Sequence, residues 1–350
     1  MKREYLLAVD LGGTKTEVAL AAGERDWPGI VARRVYASQE FEGLDAIIAD
    51  FLARPDARKH AGALAAACIS VAGPVEGERA TTTNLEWAIS AKALGERFAV
   101  PAVRLINDFA AAGVGIARLD PGDLETLQEG QPVTHGARAI IGAGTGLGVA
   151  LMMWDGKDYA VHASEAGHVD FAPLDQIQDG LVAHLRRLHG RVSYERVLSG
   201  PGLAQIFHYL KDCGVDAPSR AMLEAAEKEP DTAVVVSEFG LRQHDPLAAR
   251  ALDLFATVYG AFAGNIALAV LARGGVFIAG GIAPKIVEKL KDGTFMRAFT
   301  DKGRFGDLLS TFPVHVVLNS SVGLYGALEL AGRLARGGVK RKVKGERREA

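Results

Sequence analysis

An amide and an acid directly follow a short apolar segment of the sequence. Val103–Ile106 is predicted to form a β-strand, and Asn107 and Asp108 come next. Ligands of α/β sheets bind at the carboxyl ends of strands, so a carboxylate there could act as a general base toward a bound hydroxyl. Alternatively, the same two residues could cap a helix that begins at Phe109. The residues alone leave both interpretations open.

A second polar group lies between Glu165 and Phe171. Glu165 and His168 could hydrogen-bond to neighbouring hydroxyls of one ligand. A glutamate with a histidine could also bind a metal ion, but no further Cys/His cluster follows to complete such a site. Glu195 lies in a separate segment, and its structural alternative is an acid in the first turn of a helix.

A glycine-rich hairpin lies near the start of the sequence. Apolar strands are predicted at Tyr5–Asp10 and Thr16–Ala21, on either side of a turn that contains Gly12, Gly13 and Thr14. A simple hairpin needs only one or two residues that tolerate positive φ, so this turn carries more polar and glycine residues than its geometry requires.

The same pattern returns in Ile140–Leu151. Thr145 corresponds to Thr14 and Gly142 to Asp10, and the second turn is one residue shorter than the first. The repeat indicates a duplicated α/β domain, with two glycine hairpins that could face each other across a cleft.

Neither hairpin fits the commonest phosphate-binding motifs. Gly13–Thr16 lacks the register of a Walker A loop, and Gly142–Gly148 misses the dinucleotide fingerprint by one position; both lead into strands rather than helices. Their backbone N–H groups and threonine hydroxyls could still hold the phosphates of one nucleotide. Asp10 could orient the water shell of a Mg²⁺ ion. The alternative is a glycine-rich hairpin with no ligand.

Alternating strands and helices surround these motifs and predict an α/β layer fold. The turn at Gly280 and Gly281 is a third place where backbone could approach a ligand closely. The other predicted elements are helices at Leu44–Leu52 and Ala91–Phe98, a strand at Leu64–Val71, a helix from Pro246 to about Ala272 capped by Asp245, a strand at Gly275–Ala279, an amphipathic helix at Pro284–Lys291, a strand at Val314–Leu318 and a helix at Gly323–Leu334.

Composition and charge favour a two-domain protein without nucleic-acid or membrane partners. The chain has 350 residues and a formal net charge of −2. We expect no bilayer-spanning segment and no signal peptide, and the distant Cys68 and Cys213 predict neither a disulfide framework nor a zinc site. These features favour a cytoplasmic protein. The basic segment 337–350 is predicted to be a disordered tail.

Seven segments, in order along the chain, resemble the bacterial glucokinases of the hexokinase/actin-like ATPase superfamily. The resemblance extends from about Tyr5 to Leu334. The segments are Val9–Thr14, Ile106–Phe109, Gly142–Gly148, Gly167–Phe171, Glu195–Gly202, Gly275–Ile282 and Asp301–Phe305.

The resemblance implies two ribonuclease-H-like α/β domains around a central cleft. The small domain would comprise residues 1–109 and 319–336, and the large domain residues 110–318. Asp108 would be the general base that removes the proton from the 6-hydroxyl of glucose. The other implied site residues are Asn107, Glu165, His168 and Glu195 for the sugar, and Asp10, Gly12, Gly13, Thr14, Gly144, Thr145, Gly146, Gly280 and Gly281 for the nucleotide.

The resemblance also implies ATP as a substrate, Mg²⁺ held near Asp10 through water, and a homodimer. The Cys-rich zinc motif of the related repressor/open-reading-frame/kinase proteins is absent after His168, which favours the zinc-free branch.

Lys15 stands where family members often have Asn, and we expect it to point to solvent. Ser164–Gly167 also departs from the commoner Gly-Glu-Gly-Gly, which puts the conformation of that loop in question.

Two rival functions remain. The acceptor could be another hexose, such as mannose, fructose or an N-acetylhexosamine, because the direction of one hydroxyl is invisible in a sequence. The protein could instead be a sugar-sensing regulator. Such relatives carry a helix-turn-helix segment before the first loop, but only nine residues precede Asp10 here.

Overall fold

The computed structural model describes residues 4–23, 29–82, 85–242 and 244–346, with side chains as far as Gly337. The chain forms two compact units: unit 1 comprises Met1–Leu119 and Ser321–Ala350, and unit 2 comprises Asp120–Ser320. The domain boundaries predicted from the sequence are 109/110 and 318/319.

Unit 1 contains a five-stranded sheet in the order β3-β2-β1-β4-β8. The pairs β1–β2 and β2–β3 are antiparallel, whereas β1–β4 and β4–β8 are parallel. A second, three-stranded sheet joins β5, β6 and β7. The strands are β1 Tyr5–Leu11, β2 Lys15–Ala22, β3 Gly29–Ala37, β4 Leu64–Val71, β5 Val75–Glu76, β6 Arg79–Thr81, β7 Ala88–Ser90 and β8 Val103–Asn107; the helices are α1 Leu44–Ala53, α2 Pro55–Arg58, α3 Ala91–Phe98, α4 Asp108–Gly115 and, from the end of the chain, α13 Val322–Glu346.

Unit 2 contains a six-stranded sheet in the order β12-β11-β10-β13-β14-β9. Its strands are β9 Leu124–Gln128, β10 Arg138–Ala143, β11 Leu147–Trp154, β12 Tyr159–Ser164, β13 Gly275–Ala279 and β14 Val314–Val317. Its helices are α5 Gln176–His189, α6 Gly200–Asp212, α7 Arg220–Ala226, α8 Thr232–Leu241, α9 Pro246–Val270, α10 Val287–Lys291, α11 Thr294–Thr300 and α12 Gly306–Leu309.

The two sheets repeat one topology. In unit 1 the antiparallel strands β3, β2 and β1 are followed by parallel β4 and β8; in unit 2 antiparallel β12, β11 and β10 are followed by parallel β13 and β14. Leu11 pairs with Thr16 to close the first glycine turn, and Ala143 pairs with Leu147 to close the second. The second turn is therefore one residue shorter, as the sequence predicted.

Helices α4 and α13 explain why the first boundary falls after α4. A Cβ added to Gly115 would lie 1.9 Å from the carbonyl oxygen of Val322, and one added to Gly326 would lie 1.8 Å from that of Ala111. Such close backbone contact requires that Gly115 and Gly326 have no side chain. The close contact holds α4 in unit 1, beside the helix that returns from the end of the chain.

Most predicted elements are confirmed, and one helix begins later than expected. The predicted helix Pro284–Lys291 forms only over Val287–Lys291. The Ile282 carbonyl accepts hydrogen bonds from Lys285 and Ile286, which makes one isolated turn. Ile286 then leaves the helical region, with φ −111° and ψ 22°, and the helix begins after it.

The long helix α9 is buried within the protein and has the N-cap that the sequence predicts. Among the described residues, α9 is the helix long and apolar enough to span a membrane, but 67% of its most apolar window is buried within the protein, as in a core helix. The Asp245 side chain caps it by accepting a hydrogen bond from Ala248 N–H, as predicted.

The C-terminal helix is longer than the predicted Gly323–Leu334. The backbone of α13 is helical to Glu346, so the segment 337–346, predicted as a disordered tail, continues the helix. Lys, Arg and Glu are good helix formers and carry the helix past the glycine pair at 337–338. Residues 347–350 lie outside the described residues.

Candidate active site

The first glycine turn is held by a buried serine. Gly12 N–H donates to the Lys15 carbonyl (3.0 Å), which closes the turn. Ser38 lies against it: its backbone N–H donates to the Thr14 carbonyl (3.0 Å) and its Oγ donates to the Gly12 carbonyl (3.0 Å). The Thr14 and Lys15 side chains are exposed. Ser38 thus fixes the backbone of the loop, while the side chain of Thr14 is exposed.

Asp10, at the end of β1, has neighbours on several sides. Ser70, its register partner on β4, donates from Oγ to Asp10 Oδ1 (2.6 Å). A Cβ on Gly323 would lie 2.8 Å from Asp10 Oδ2, so a side chain at this position would displace the carboxylate. Burial is the largest influence and raises the pKa of Asp10; the hydrogen bond from Ser70 and the charge of Lys15 lower it and the charge of Glu17 raises it, and the net pKa lies above its usual value.

Asn107 and Asp108 occupy the junction of β8 and α4. The Asn107 side chain caps α4, because its Oδ1 accepts hydrogen bonds from Phe109 N–H (3.0 Å) and Ala110 N–H (3.2 Å). Its Nδ2 donates to the Gly73 carbonyl (3.4 Å). The structural interpretation of Asn107 is therefore confirmed.

Asp108 is the first residue of α4. Its Oδ1 accepts a hydrogen bond from Phe109 N–H (2.9 Å). A helix N-terminus favours negative charge, so this position suits an ionised carboxylate at the carboxyl end of a parallel strand. Such a group has the chemistry of a general base, and the hydrogen bond from Phe109 N–H orients it.

The second glycine turn is held by neighbouring backbone and by an acid. Gly144 N–H donates to the Gly146 carbonyl (2.8 Å), and Gly200 N–H, at the start of α6, donates to the Gly144 carbonyl (2.8 Å). Thr145 is exposed at its tip. Glu195 Oε2 accepts a hydrogen bond from Leu147 N–H (2.9 Å), directly after the turn. The second turn therefore has no acid of its own and receives one from another segment.

Glu165, His168 and Glu195 form a group of polar side chains in unit 2. His168 Nδ1 lies 3.7 Å from Glu195 Oε1, and His168 Nε2 lies 3.9 Å from Glu165 Oε2. The side chain of Glu195 is 31% exposed, against 77% for Glu165. The three residues present donors and acceptors that match adjacent hydroxyls, and the structure brings them together as predicted.

Tight backbone contacts position this group. A Cβ on Gly167 would lie 2.0 Å from the Leu147 carbonyl oxygen, so the 3₁₀ helix Ala166–His168 contacts the start of β11 directly. Glu195 belongs to the 3₁₀ helix Tyr194–Arg196, whose chain continues into the Ser199 cap of α6. The predicted first-turn position of Glu195 is thus part of a short helix, but its carboxylate points to Leu147.

Gly280 and Gly281 lie next to the second turn. Gly280 has φ +84°, and a Cβ there would lie 2.4 Å from the Ala143 carbonyl oxygen. A Cβ on Gly144 would lie 3.9 Å from Gly281 N. Three of the predicted nucleotide-binding glycines therefore converge at one end of the unit 2 sheet.

Sequence reasoning missed several residues that support these groups. Apart from Gly200, which lies in the segment Glu195–Gly202, none belongs to a motif, and the role of each became visible only from tertiary contacts with the predicted residues. They are Ser38 and Ser70, which hold the first turn and Asp10; Gly73, which accepts from Asn107 with φ +152°; Gly200, which holds the second turn; and Gly323, which lies against Asp10.

Within the described part of the chain, no group of three or more His, Cys, Asp and Glu side chains is arranged to hold a metal ion. Asp10 nevertheless fits a cation that keeps most of its water, since Mg²⁺ needs only one or two protein carboxylates when phosphates supply other ligands. Ser70 fixes one oxygen of Asp10, and the bare Cα of Gly323 lies beside the other.

The repeated sheet topology, the paired glycine hairpins and the acids at strand ends define a two-domain α/β protein of the hexokinase type. A solved structure of glucokinase from an Antarctic psychrotroph is similar, with a TM-score of 0.79, 28% identity, and coverage of 95% of this chain and 99% of that one. A Balamuthia mandrillaris glucokinase in complex with glucose shares the fold, with a TM-score of 0.75 and 21% identity over 94% of each chain.

The family model described as Glucokinase matches residues 7–333, and this chain belongs to that family. A glucokinase from Synechocystis sp. is 41% identical, and the match covers 93% of this chain and 98% of the relative. A glucokinase from Trichormus variabilis is 39% identical, and the match covers 94% of this chain and 99% of the relative. The resemblance stated from the motifs is thereby confirmed.

Proposed function

We propose that this protein is a glucokinase, which transfers the γ-phosphoryl group of ATP to the 6-hydroxyl of glucose and releases glucose 6-phosphate and ADP. The observation that carries the proposal is the family match over residues 7–333, which includes every predicted site residue from Asp10 to Gly281. The curated relatives named glucokinase, at 39% and 41% identity over nearly their full lengths, support the same activity.

In this proposal Asp108 is the general base. The proton passes from the glucose 6-hydroxyl to the Asp108 carboxylate, the hydroxyl oxygen forms a bond to the γ-phosphorus, and the bond from that phosphorus to the bridging oxygen of ADP breaks. The position of Asp108 at the N-terminus of α4 supports this role, because it favours the ionised form that accepts a proton.

The remaining residues hold the two substrates. The other hydroxyls of the sugar are bound by Asn107, Glu165, His168 and Glu195. This binding fixes the 6-hydroxyl near the γ-phosphorus of ATP. The exposed Thr14 and Thr145, with the N–H groups of Gly13 and Gly146 beside them, bind phosphate oxygens, since the N–H groups of Gly12 and Gly144 close their own turns. Gly280 and Gly281 lie near the adenosine. Asp10 would hold Mg²⁺ through the water shell of the ion, and the bound ion would neutralise phosphate charge.

Several finer features belong to the same proposal. We expect the protein to act in the cytoplasm as a homodimer and to supply the first phosphorylated sugar of glycolysis. We expect no nucleic-acid or membrane partner. We place Lys15 in solvent, which the exposed position of this residue supports.

A hexose panel tests the function. ADP release is measured with ATP, Mg²⁺ and glucose, mannose, fructose or N-acetylglucosamine, each at a range of concentrations. We expect the highest kcat/KM for glucose, because a site built for particular hydroxyls rejects a sugar that leaves its buried polar groups unpaired. A higher kcat/KM for another hexose would change the assigned substrate. Absence of sugar-dependent ADP release with all four would contradict the proposal.

A further inference from the structure

Arg33, on β3, contacts two buried side chains that are not among the predicted site residues. Its Nε donates to Glu17 Oε1, and a terminal nitrogen donates to Ser321 Oγ. Ser321 Oγ in turn donates to Glu17 Oε2 (3.2 Å). Glu17 is 3% exposed and Ser321 is 2% exposed. We call these three residues the Arg33 triangle.

The Arg33 triangle adjoins Asp10 on two sides. Glu17 is directly opposite Asp10 in the β1–β2 ladder, and directly opposite residues point to the same face of a sheet. Ser321 begins the segment that returns to unit 1, two residues before Gly323. Gly323 is the residue whose Cα lies against the Asp10 carboxylate.

Charge makes the arginine necessary to this arrangement. Two carboxylates directly opposite each other across a ladder repel one another. A buried carboxylate without a partner is also strongly unfavourable, so Glu17 needs the guanidinium. The planar fork of arginine can bond Glu17 and Ser321 at once, whereas a lysine presents a single point charge.

We propose that Arg33 is a positioning residue for phosphoryl transfer, which fixes Asp10 by holding Glu17 on one side and the start of α13 on the other. The inference rests on the proposed function, because it assumes that Asp10 assists the transfer. Arg33 itself touches none of the predicted substrate-binding residues in the contacts described above.

Kinetics of four variants test the inference. We expect Arg33→Met to lower kcat about 10-fold with the KM for glucose unchanged, and Arg33→Met combined with Glu17→Gln to recover most of that loss, because the second change removes the unpaired charge. Arg33→Lys should fall between wild type and Arg33→Met. Arg34→Met is the matched control: Arg34 is the next residue on β3 and stacks over Tyr36, and we expect wild-type kinetics.

The outcomes separate this inference from the proposed function. A wild-type protein that does not phosphorylate glucose would contradict the function. If the wild type is active and Arg33→Met has the same kcat as the wild type, the inference alone is overturned. Equal loss in Arg33→Met and the double variant would also overturn it, since a merely structural arginine gives no recovery. If Arg33→Met does not fold, wild-type kinetics in Arg33→Lys would overturn it, and a lowered kcat would support it.

Discussion

The two glycine hairpins share a backbone and differ in their chemistry. Both join antiparallel strands through a short turn, and both expose a threonine at the tip, Thr14 in the first and Thr145 in the second. The first carries Asp10 at the end of its leading strand, where the second has Gly142. The second instead binds the carboxylate of Glu195 at the start of its following strand.

Different elements pack against the two hairpins. The start of α13 covers the carboxylate of the first hairpin through Gly323, and Ser38 holds its turn. The second hairpin is held by Gly200, at the start of α6, and by Glu195. The backbone turn is therefore repeated, but the first hairpin carries its own acid, Asp10, and the second receives Glu195 from another segment.

The strongest test of this contrast removes the acid of the first hairpin. Asp10→Asn keeps the oxygen that accepts from Ser70 and removes the charge. If the first hairpin carries the ion-dependent step, kcat should fall by about 10²- to 10³-fold, while the Kd for glucose stays constant. ADP release and calorimetric glucose titration measure the two quantities.

The control for Asp10→Asn is Asp155→Asn, in the exposed turn after β11, where asparagine can still accept the local backbone hydrogen bonds. We expect wild-type kinetics from this control. An Asp10→Asn protein with wild-type kcat would mean that the two hairpins do not differ in function.

A smaller effect is expected in the second hairpin. An Ala side chain at Gly146 would place Cβ 2.6 Å from Glu195 Oε2, whereas at Gly144 the nearest atom, Gly281 N, is 3.9 Å away. The Glu195 carboxylate is at the end of a flexible side chain, so Gly146→Ala should displace it with little loss of stability. We expect the KM for glucose to rise about 10-fold, as for a weakened hydrogen bond to a charged group.

Gly144→Ala is the matched variant for Gly146→Ala. We expect its KM for glucose to equal that of the wild type, because Glu195 is undisturbed. Initial-rate kinetics and melting temperatures of both variants decide the matter. Equal glucose KM values in the two variants would show that Glu195 does not act through the second hairpin.

A further prediction concerns the stability of α13, the helix that covers the first hairpin. Glu329 of α13 pairs with Arg118 (2.6 Å) and Arg333 (2.8 Å). Burial raises its pKa, but the hydrogen bonds and the charges of Arg333 and Arg118 together outweigh burial, so the pKa lies below its usual value. Glu329→Gln should lower the free energy of unfolding by about 2 kcal/mol at neutral pH.

The pH dependence of this loss has a definite sign. Because the pKa of Glu329 is depressed in the folded state, its contribution is present above the usual glutamate pKa of 4.5 and disappears as the pH falls through the lower folded value. Denaturant unfolding at neutral pH and at successively lower pH should therefore show the two proteins converging. A difference that is constant with pH would contradict the ion pairs.

Much of the fold follows from local pattern. The predicted strands Leu64–Val71 and Gly275–Ala279 and the predicted helix Ala91–Phe98 match the structure residue for residue. Their apolar runs are bounded by clear turn or cap residues. The strand β3 was missed, because Arg33 and Arg34 interrupt its apolar pattern. Its place depends on pairing with β2, which no local pattern shows.

The residues of the candidate site that lie at strand ends were predictable, and those that depend on contacts between distant segments were not. Asp10, Asn107 and Asp108 lie at strand ends, and strand ends can be recognised in a sequence. Ser70 and Gly323 were not predictable, since each gains its role from a contact between distant segments. The catalytic and binding roles of the predicted residues remain predictions.

The direct test of the central claim is the kcat of Asp108→Asn with ATP and glucose, measured beside its Kd for glucose. The account predicts a kcat about 10²- to 10⁴-fold below that of the wild type, because proton abstraction by the carboxylate is lost, with glucose binding largely retained. Wild-type turnover by this variant would contradict the assignment of Asp108 as the base.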